Sequence, residues 1–188
     1  MGQPFKWLCI LLLLAAGGDA LAGGNLTPFG DFEASAESLK PFVGSTFPKM
    51  SIVMEEPGRN HCVKVEIASI DKRSDGELGV HANVVFTLEL KPNTNYRFSF
   101  DLKGTAPRFL VELREKEGKK LPFTLNPVPP LKSSYYEVTA DWKEYGGSFR
   151  TNACGDVQLF LSLWHNTFYG KMFYAVGDYF LLDNLMVK

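Results

Sequence analysis

Few residue patterns in this chain of 188 residues could support catalysis. Carboxylate pairs can act as general acid and base. The candidate pairs, by residue type alone, are Glu55 with Glu56 and Glu112 with Glu115. The sequence has no Gly-x-Ser-x-Gly, no His-Glu-x-x-His and no glycine-rich phosphate loop, and its three histidines lack the spacing of zinc ligands. We therefore expect a protein without catalytic activity of its own.

Aromatic residues on one predicted strand are more informative. In the segment 157–163 the odd-numbered positions are apolar, which places them on the core face of the strand. The opposite face carries Phe160 and Trp164 together with Gln158 and Ser162. Aromatic rings offer a flat apolar surface, and amides and hydroxyls add hydrogen bonds beside it. This face is predicted to be a binding platform; the alternative is that a loop or a second sheet covers it.

A second polar stripe lies on the segment 96–103. Its apolar face consists of Tyr96, Phe98, Phe100 and Leu102, and its polar face of Arg97, Ser99, Asp101 and Lys103. Guanidinium, hydroxyl and carboxylate groups on one face can hydrogen-bond to a polar ligand. The alternative is a solvated sheet face with an ion pair.

The elements that carry these residues are predicted to be β-strands. Alternation with period two recurs along the chain, and no apolar stripe recurs at helical spacing for ten residues. Further strong strand predictions cover 63–67, 84–90 and 109–113, and weaker ones cover 25–33, 51–56, 134–140, 142–151 and 178–187. Many short strands with one polar face each predict an all-β protein, an antiparallel β-sandwich of the jelly-roll type.

Turn residues separate the predicted strands. Lys91-Pro92-Asn93-Thr94-Asn95 lies between two strongly alternating segments and favours an antiparallel hairpin. Residues 116–119 and 145–147 contain the glycines that punctuate later segments.

Residues 1–22 are predicted to be a cleaved secretory signal. Lys6 precedes an apolar run from Leu8 to Ala16, and Ala20-Leu21-Ala22 supplies a small-x-small cleavage pattern. The run is too short for a bilayer span, which needs about 20 residues. We expect one exported domain, 23–188, that is secreted or periplasmic and monomeric, with no membrane span after cleavage. A net charge of -1 excludes the broad basic surface that nucleic-acid binding requires.

The exported part would contain two cysteines, Cys62 and Cys154. An oxidising compartment would allow a disulfide between them. Both residues fall at the start of predicted strands, so pairing depends on which strands are neighbours. The two possibilities are a bridge and two thiols.

Four segments of the chain form an ordered set of motifs. The first is Asn25-Leu26-Thr27-Pro28-Phe29-Gly30-Asp31-Phe32-Glu33, and the second is Tyr96-Arg97-Phe98-Ser99-Phe100-Asp101-Leu102-Lys103-Gly104. The third is Thr139-Ala140-Asp141-Trp142-Lys143-Glu144-Tyr145, and the last is Tyr179-Phe180-Leu181-Leu182-Asp183-Asn184-Leu185. Together they span nearly all of 25–188, and in this order they resemble the carbohydrate-binding modules grouped as families 4, 9 and 22, which have a galactose-binding-like jelly roll.

The resemblance implies a structural calcium ion that ties the first strand to the last. Glu33 and Asp183 are the expected side-chain ligands, and Asp31 shares a strand face with Glu33. Calcium takes several oxygen ligands, and it would relieve repulsion between carboxylates brought together by the terminal strands. The alternative is that Asp31 and Glu33 are ordinary surface carboxylates.

The function that the resemblance implies is binding of a poly- or oligosaccharide, usually beside a glycoside hydrolase. Aromatic side chains would stack on pyranose rings, and polar side chains would hydrogen-bond to hydroxyls. The candidate carbohydrate-binding residues are Trp164, Phe160, Gln158, Arg97, Asp101 and Tyr169. Tyr169 lies in an aromatic loop, 166–175, that either forms a binding rim or folds over the core.

The alternative function is a structural or adhesive module that binds a protein partner, because one fold hosts many functions. The tryptophan that commonly follows the first family motif is absent here, where the chain has Leu39 to Phe42. Glycan binding should depend on Trp164, whereas a protein interface should depend on several positions together.

Overall fold

A computed structural model describes the chain over residues 46–54, 61–72, 75–115, 118–126, 135–167 and 170–188. Several predictions fall on other residues. The signal peptide 1–22, the strand 25–33, and the side chains of Asp31, Glu33, Glu55, Glu56 and Tyr169 lie outside the described residues. These remain predictions.

Ten strands occur in the described residues, and they follow the alternation of the sequence. In the strand that contains Phe98 and Phe100, for example, both phenylalanines are buried, whereas Arg97, which directly precedes Phe98, is exposed. The strands are β1 (Thr46–Met54), β2 (His61–Ile70), β3 (Gly79–Glu89), β4 (Asn95–Gly104), β5 (Phe109–Glu115), β6 (Phe123–Asn126), β7 (Tyr135–Tyr136), β8 (Lys143–Arg150), β9 (Asp156–Asn166) and β10 (Tyr179–Val187).

The described strands form two antiparallel sheets. The six-stranded sheet has the order β1-β2-β10-β4-β8-β6, and the four-stranded sheet has the order β3-β9-β5-β7. Their apolar faces pack against each other, so each sheet keeps one outer face. The predicted all-β antiparallel sandwich is confirmed.

Aromatic side chains from both sheets meet in the core. Phe100 of β4 lies 5.7 Å from Phe109 of β5, measured between ring centroids. Phe109 in turn contacts Phe180 of β10 at 4.9 Å, and Tyr136 of β7 contacts Tyr145 of β8 at 4.6 Å. These contacts join the two sheets and hold β4, β8 and β10 in fixed positions.

The predicted hairpin around 91–95 is wrong. β3 pairs with β9 in the four-stranded sheet, whereas β4 pairs with β10 and β8 in the six-stranded sheet. The turn therefore carries the chain from one sheet to the other. Alternation alone could not show this, because both strands turn an apolar face to the same core from opposite sides.

Gly146 and Gly147 do not form the predicted turn but lie inside β8. A Cβ atom on Gly147 would lie 2.0 Å from the carbonyl oxygen of Thr124, and one on Gly146 would lie 2.4 Å from that of Phe98. Neighbouring backbones approach too closely for any other residue. Here glycine marks close packing of strands, which is its other common role in a sheet.

Of the two possibilities left open for Cys62 and Cys154, the structure has two thiols and no disulfide between them. Cys62 is buried in β2, where its thiol lies 3.5 Å from the carbonyl oxygen of Val53. Cys154 is exposed in the turn between β8 and β9. The two strand starts belong to different regions of the sandwich, because β2 and β9 lie in different sheets.

Candidate ligand-binding cleft

The structure splits the predicted carbohydrate-binding residues between two faces. Gln158, Phe160 and Trp164 belong to β9 and lie on the outer face of the four-stranded sheet. Arg97 and Asp101 belong to β4 and lie on the outer face of the six-stranded sheet. The core separates these faces, so the predicted set is not one site.

The outer face of the six-stranded sheet is built from three rows of side chains that cross neighbouring strands. Register places Lys188, Arg97, Ser148 and Thr124 in one row, called here the cationic row. The middle row consists of Met186, Ser99, Gly146 and Asn126. The acidic row consists of Asp183, Asp101 and Glu144. Because strand partners share a face, each row points outward together.

A cleft of about 640 Å³ lies over the cationic and middle rows. Its lining includes Arg97, Ser99, Thr124, Asn126, Ser148 and Lys188, with Glu144 at the side of the acidic row. A volume of this size is within the range of small-ligand sites, about 300–1,000 Å³. Guanidinium, ammonium, hydroxyl, amide and carboxylate groups therefore surround one cleft.

Gly146 gives this cleft a floor without a side chain. Its carbonyl oxygen accepts a hydrogen bond from the hydroxyl of Tyr136, at 3.0 Å, from inside the sandwich. Burial raises the pKa of Tyr136, so the phenol keeps its proton and donates. On the outer surface the hydroxyls of Thr124 and Ser148 lie 2.7 Å apart. The floor is held from the core, and its rim presents hydroxyl groups.

Sequence reasoning identified Arg97 and Asp101 but missed the residues that β6 and β8 bring to the cleft. Thr124, Asn126 and Ser148 are distant from Arg97 in sequence and adjacent only through strand pairing. The signal in the sequence that could have indicated the residues of β8 was the alternation of polar positions in the weakly predicted strand 142–151.

The outer face of the four-stranded sheet is more enclosed. The guanidinium of Arg114 lies 4.7 Å from the ring centroid of Phe160, and the ring is half-buried. A sugar that stacked on this face of the ring would have to displace the cation. Trp164 is also half-buried, and its carbonyl oxygen accepts a hydrogen bond from the hydroxyl of Tyr135 at 3.3 Å. Phe160 is therefore not the open platform that the sequence predicted.

Glu112 anchors the charges of that face. Its carboxylate accepts hydrogen bonds from Arg114 and Lys120. Burial alone would raise the pKa of Glu112, but the hydrogen bonds and charges of Lys120 and Arg114 outweigh it and hold the pKa below the usual value of a glutamate. Glu112, a candidate for an acid–base pair with Glu115 by residue type alone, thus forms ion pairs with two cations.

Glu112→Gln is expected to lower the free energy of unfolding at neutral pH by about 1 kcal/mol. A carboxyl whose folded pKa is lowered contributes stability above its unfolded pKa and loses it as pH falls through the folded value. The difference from the parent should therefore vanish well below the usual carboxyl pKa. Urea unfolding across the acid range measures it, with Glu89→Gln as an exposed control on the same sheet. An equal loss at every pH would contradict the ion-pair account.

The aromatic residues after β9 fold inward where they are described. Phe173 packs against the core, between His165 at 4.2 Å and Tyr174 at 4.5 Å. Tyr174 is buried, and its hydroxyl donates to the carbonyl oxygen of Arg108 at 3.0 Å. Of the two possibilities for this loop, these residues follow the one in which it covers the core.

Asp183, the predicted calcium ligand on the last strand, is buried on the outer face with a relative exposure of 9%. One of its oxygens accepts a hydrogen bond from the backbone N–H of Asn184 at 2.7 Å. The neighbouring Asp101 accepts one from the Asn184 amide at 2.8 Å. Within the described ranges no three His, Cys, Asp or Glu side chains lie close enough to hold a metal ion. A calcium site would need ligands from elsewhere, as the prediction with Asp31 and Glu33 assumes.

Several solved structures have a similar fold. TmCBM61, solved in complex with β-1,4-galactotriose, is 13% identical with a TM-score of 0.57, and the match covers 88% of this chain and 98% of that one. The CBM22-1 xylan-binding domain of Paenibacillus barcinonensis Xyn10C is 14% identical with a TM-score of 0.51, covering 85% and 90%. The active domain of bacteriophage CBA120 tailspike protein 4 is 11% identical with a TM-score of 0.53, covering 87% and 21%.

A much longer protein has a similar sequence over most of this chain. The tRNA(Glu)-specific nuclease WapA of Bacillus subtilis subsp. natto is 28% identical over 159 residues, which is 81% of this chain. The chain spans 6% of the length of that relative. No family model matches the sequence. Among the residues that the structure covers, none forms a helix long and apolar enough to cross a membrane.

The likeness to these structures rests on the whole sandwich, since it covers more than four-fifths of the chain in each case. The chain therefore has the antiparallel β-sandwich, jelly-roll fold of these solved structures, which include carbohydrate-binding modules.

Proposed function

We propose that this protein is a glycan-binding module that holds a poly- or oligosaccharide in the cleft on the six-stranded sheet. The observation that carries the proposal is the cleft itself, where hydroxyl and amide groups of Ser99, Thr124, Asn126 and Ser148 border a floor of bare backbone at Gly146. Sugar hydroxyls both donate and accept hydrogen bonds, and this lining offers both kinds of group.

The similar structures support this proposal. Two of them carry names that refer to galactotriose and to xylan, and they share the fold over most of their length. Fold alone does not decide function, so the argument depends on the polar cleft and uses the fold as its context.

The module binds without catalysis, is exported by the signal at 1–22, and serves glycan degradation by a glycoside hydrolase. The proposed lack of catalysis is supported by the hydrogen bonds that two carboxylates already accept. Asp101 accepts one from the amide of Asn184, and Glu112 accepts them from two cations. The nearest acidic group to the cleft, Glu144, lies at one side of it. Glu144 is the cross-strand partner of Asp101, and the carboxylate of Asp101 accepts a hydrogen bond from the amide of Asn184.

Calcium is part of the proposal as a structural ion, held by Asp183 together with Asp31 and Glu33. The buried position of Asp183 beside Asp101 supports it, because a buried carboxylate next to a second one is relieved by a cation. The ion would tie the last strand to the beginning of the domain, and β10 lies next to β4 of the cleft.

The test is a glycan array with residues 23–188, in calcium and again in EDTA, with melting temperatures measured in both buffers. We expect binding to a related set of polysaccharides. We also expect a higher melting temperature in calcium, because an ion that binds only the folded state stabilises it. A folded sample that binds no glycan in either buffer would overturn the glycan proposal in favour of a protein partner. An unchanged melting temperature in EDTA would overturn the calcium proposal alone.

A further inference from the structure

Three cations gather at one end of the cleft. Arg97 and Lys188 exchange both backbone hydrogen bonds, at 2.8 and 2.9 Å, so they are directly opposite on neighbouring strands. Arg150 is one step further along β8, on the same face and opposite Asn95. All three residues are exposed.

This arrangement is unfavourable for the empty protein. Like charges directly opposite each other in an antiparallel pair destabilise the sheet. In the part of the chain that the structure describes, no side-chain carboxylate forms an ion pair with these three side chains. The carboxylate of Asp101 lies four residues along β4 from Arg97, a distance of about 13 Å, and it is engaged by Asn184. An anion at this end would relieve the repulsion.

We propose that the ligand is an acidic saccharide whose carboxylate or sulfate group binds between Arg97 and Lys188. The inference rests on the proposed function and specifies the class of glycan. The guanidinium can bind either anion through two parallel hydrogen bonds, while the ammonium adds a point charge from the opposite strand. Both interactions are charge-assisted and stronger than hydrogen bonds between neutral groups.

The other end of the cleft restricts the ligand further. Beyond the neutral middle row, Glu144 and Asp101 present carboxylates on the same outer face. These accept hydrogen bonds from sugar hydroxyls and repel a second anion. The cleft thus has positive charge at one end and negative charge at the other. This favours a saccharide with an acidic residue at one end and neutral residues after it. A uniform polyanion would place charge against Glu144.

Isothermal titration with defined oligosaccharides tests the proposal. The probes are a xylo-oligosaccharide carrying one glucuronic acid, the same oligosaccharide without it, a galacto-oligosaccharide with one sulfate, its unsulfated form, and tri-galacturonate. We expect at least one singly charged probe to bind at least about tenfold more tightly than its neutral form, which is about 1.4 kcal/mol. The advantage should shrink as salt is added, and tri-galacturonate should bind more weakly than the better singly charged probe.

The double variant Arg97→Gln with Lys188→Gln identifies the residues responsible. We expect it to remove the advantage of the charged probe over its neutral form and to leave the melting temperature equal to or above that of the parent, since it removes like-charge repulsion. The matched control is Lys119→Gln with Lys171→Gln, two exposed lysines in loops away from the cleft, which should keep the advantage.

The outcomes separate this inference from the function on which it rests. Equal affinity for charged and neutral forms, with both bound, would overturn the acidic class and leave glycan binding in place. An advantage that survives in the double variant would overturn the assignment to Arg97 and Lys188. Absence of binding to every probe by folded protein would overturn both the inference and the glycan proposal.

Discussion

Phe100→Ala is expected to lower the free energy of unfolding by about 3–5 kcal/mol, the usual cost of removing a buried phenylalanine. Phe100 is fully buried at the point where the two sheets meet. Its ring contacts Phe109 and Tyr136 of the four-stranded sheet and Tyr145 of β8. Because these neighbours belong to three different strands, they cannot all move to fill the space, and a cavity will remain.

Chemical denaturation and thermal melting measure this loss, which should lower the melting temperature by on the order of 10 °C. Val176→Ala is the control, because Val176 is 62% exposed and its truncation should change stability by no more than about 0.5 kcal/mol. Equal effects of the two substitutions would contradict the described core.

The same variant connects the core to the cleft. Phe100 lies between Ser99 and Asp101 on β4, so the strand presents its packing residues and its cleft residues alternately. A cavity on the inner face of β4 should make the side chains of the three rows on its outer face less firmly positioned. At temperatures where Phe100→Ala remains folded, we expect weaker glycan binding without any change in the residues that contact the ligand.

Alternation was sufficient to predict the class of fold and most of the strands, although β6 (Phe123–Asn126) lies in a proline-containing segment that the sequence predicts as an irregular loop. In β4 and β9 every second residue is large and apolar, and these residues form the core that the structure contains. A period of two is a local property, set by the direction of successive Cβ atoms, so it can be seen in a sequence without knowledge of strand partners.

Pairing of strands could not be predicted in the same way. The turn at 91–95 has the residues of a hairpin, yet it links two sheets, because pairing depends on the register of distant strands such as β9 and β10. The glycines of β8 were misleading for a related reason. Gly146 and Gly147 are required by the backbones of β4 and β6, which are their neighbours only in the folded protein.

The candidate site shows the same limit. Parity placed Arg97 and Asp101 on one polar face and Phe160 and Trp164 on another, but it could not show that these faces lie on opposite sides of the sandwich. Nor could it show that Arg114 covers the ring of Phe160, because β5 and β9 become neighbours through the fold.

Ser99→Trp is expected to abolish glycan binding, with a loss of at least about 100-fold, or about 2.7 kcal/mol. Ser99 lies in the middle row, between Met186 and Gly146, so an indole there would occupy the volume that the ligand needs. The serine is half-exposed on the outer face, and its replacement should leave the core and the melting temperature nearly unchanged. Binding is measured with the best glycan from the array, and folding by circular dichroism.

Thr87→Trp provides the matched control, and together the two variants decide which face binds. Thr87 is exposed on β3 and lies opposite Gln158, so it adds the same indole to the outer face that carries Phe160 and Trp164. If the cleft is the site, Thr87→Trp binds as the parent does while Ser99→Trp does not bind. The reverse result would assign the glycan to the part of the four-stranded sheet around Gln158 and Phe160 and would refute the cleft. Because the core separates the two faces, an indole on one of them cannot reach a ligand on the other, and each variant reports on a single face.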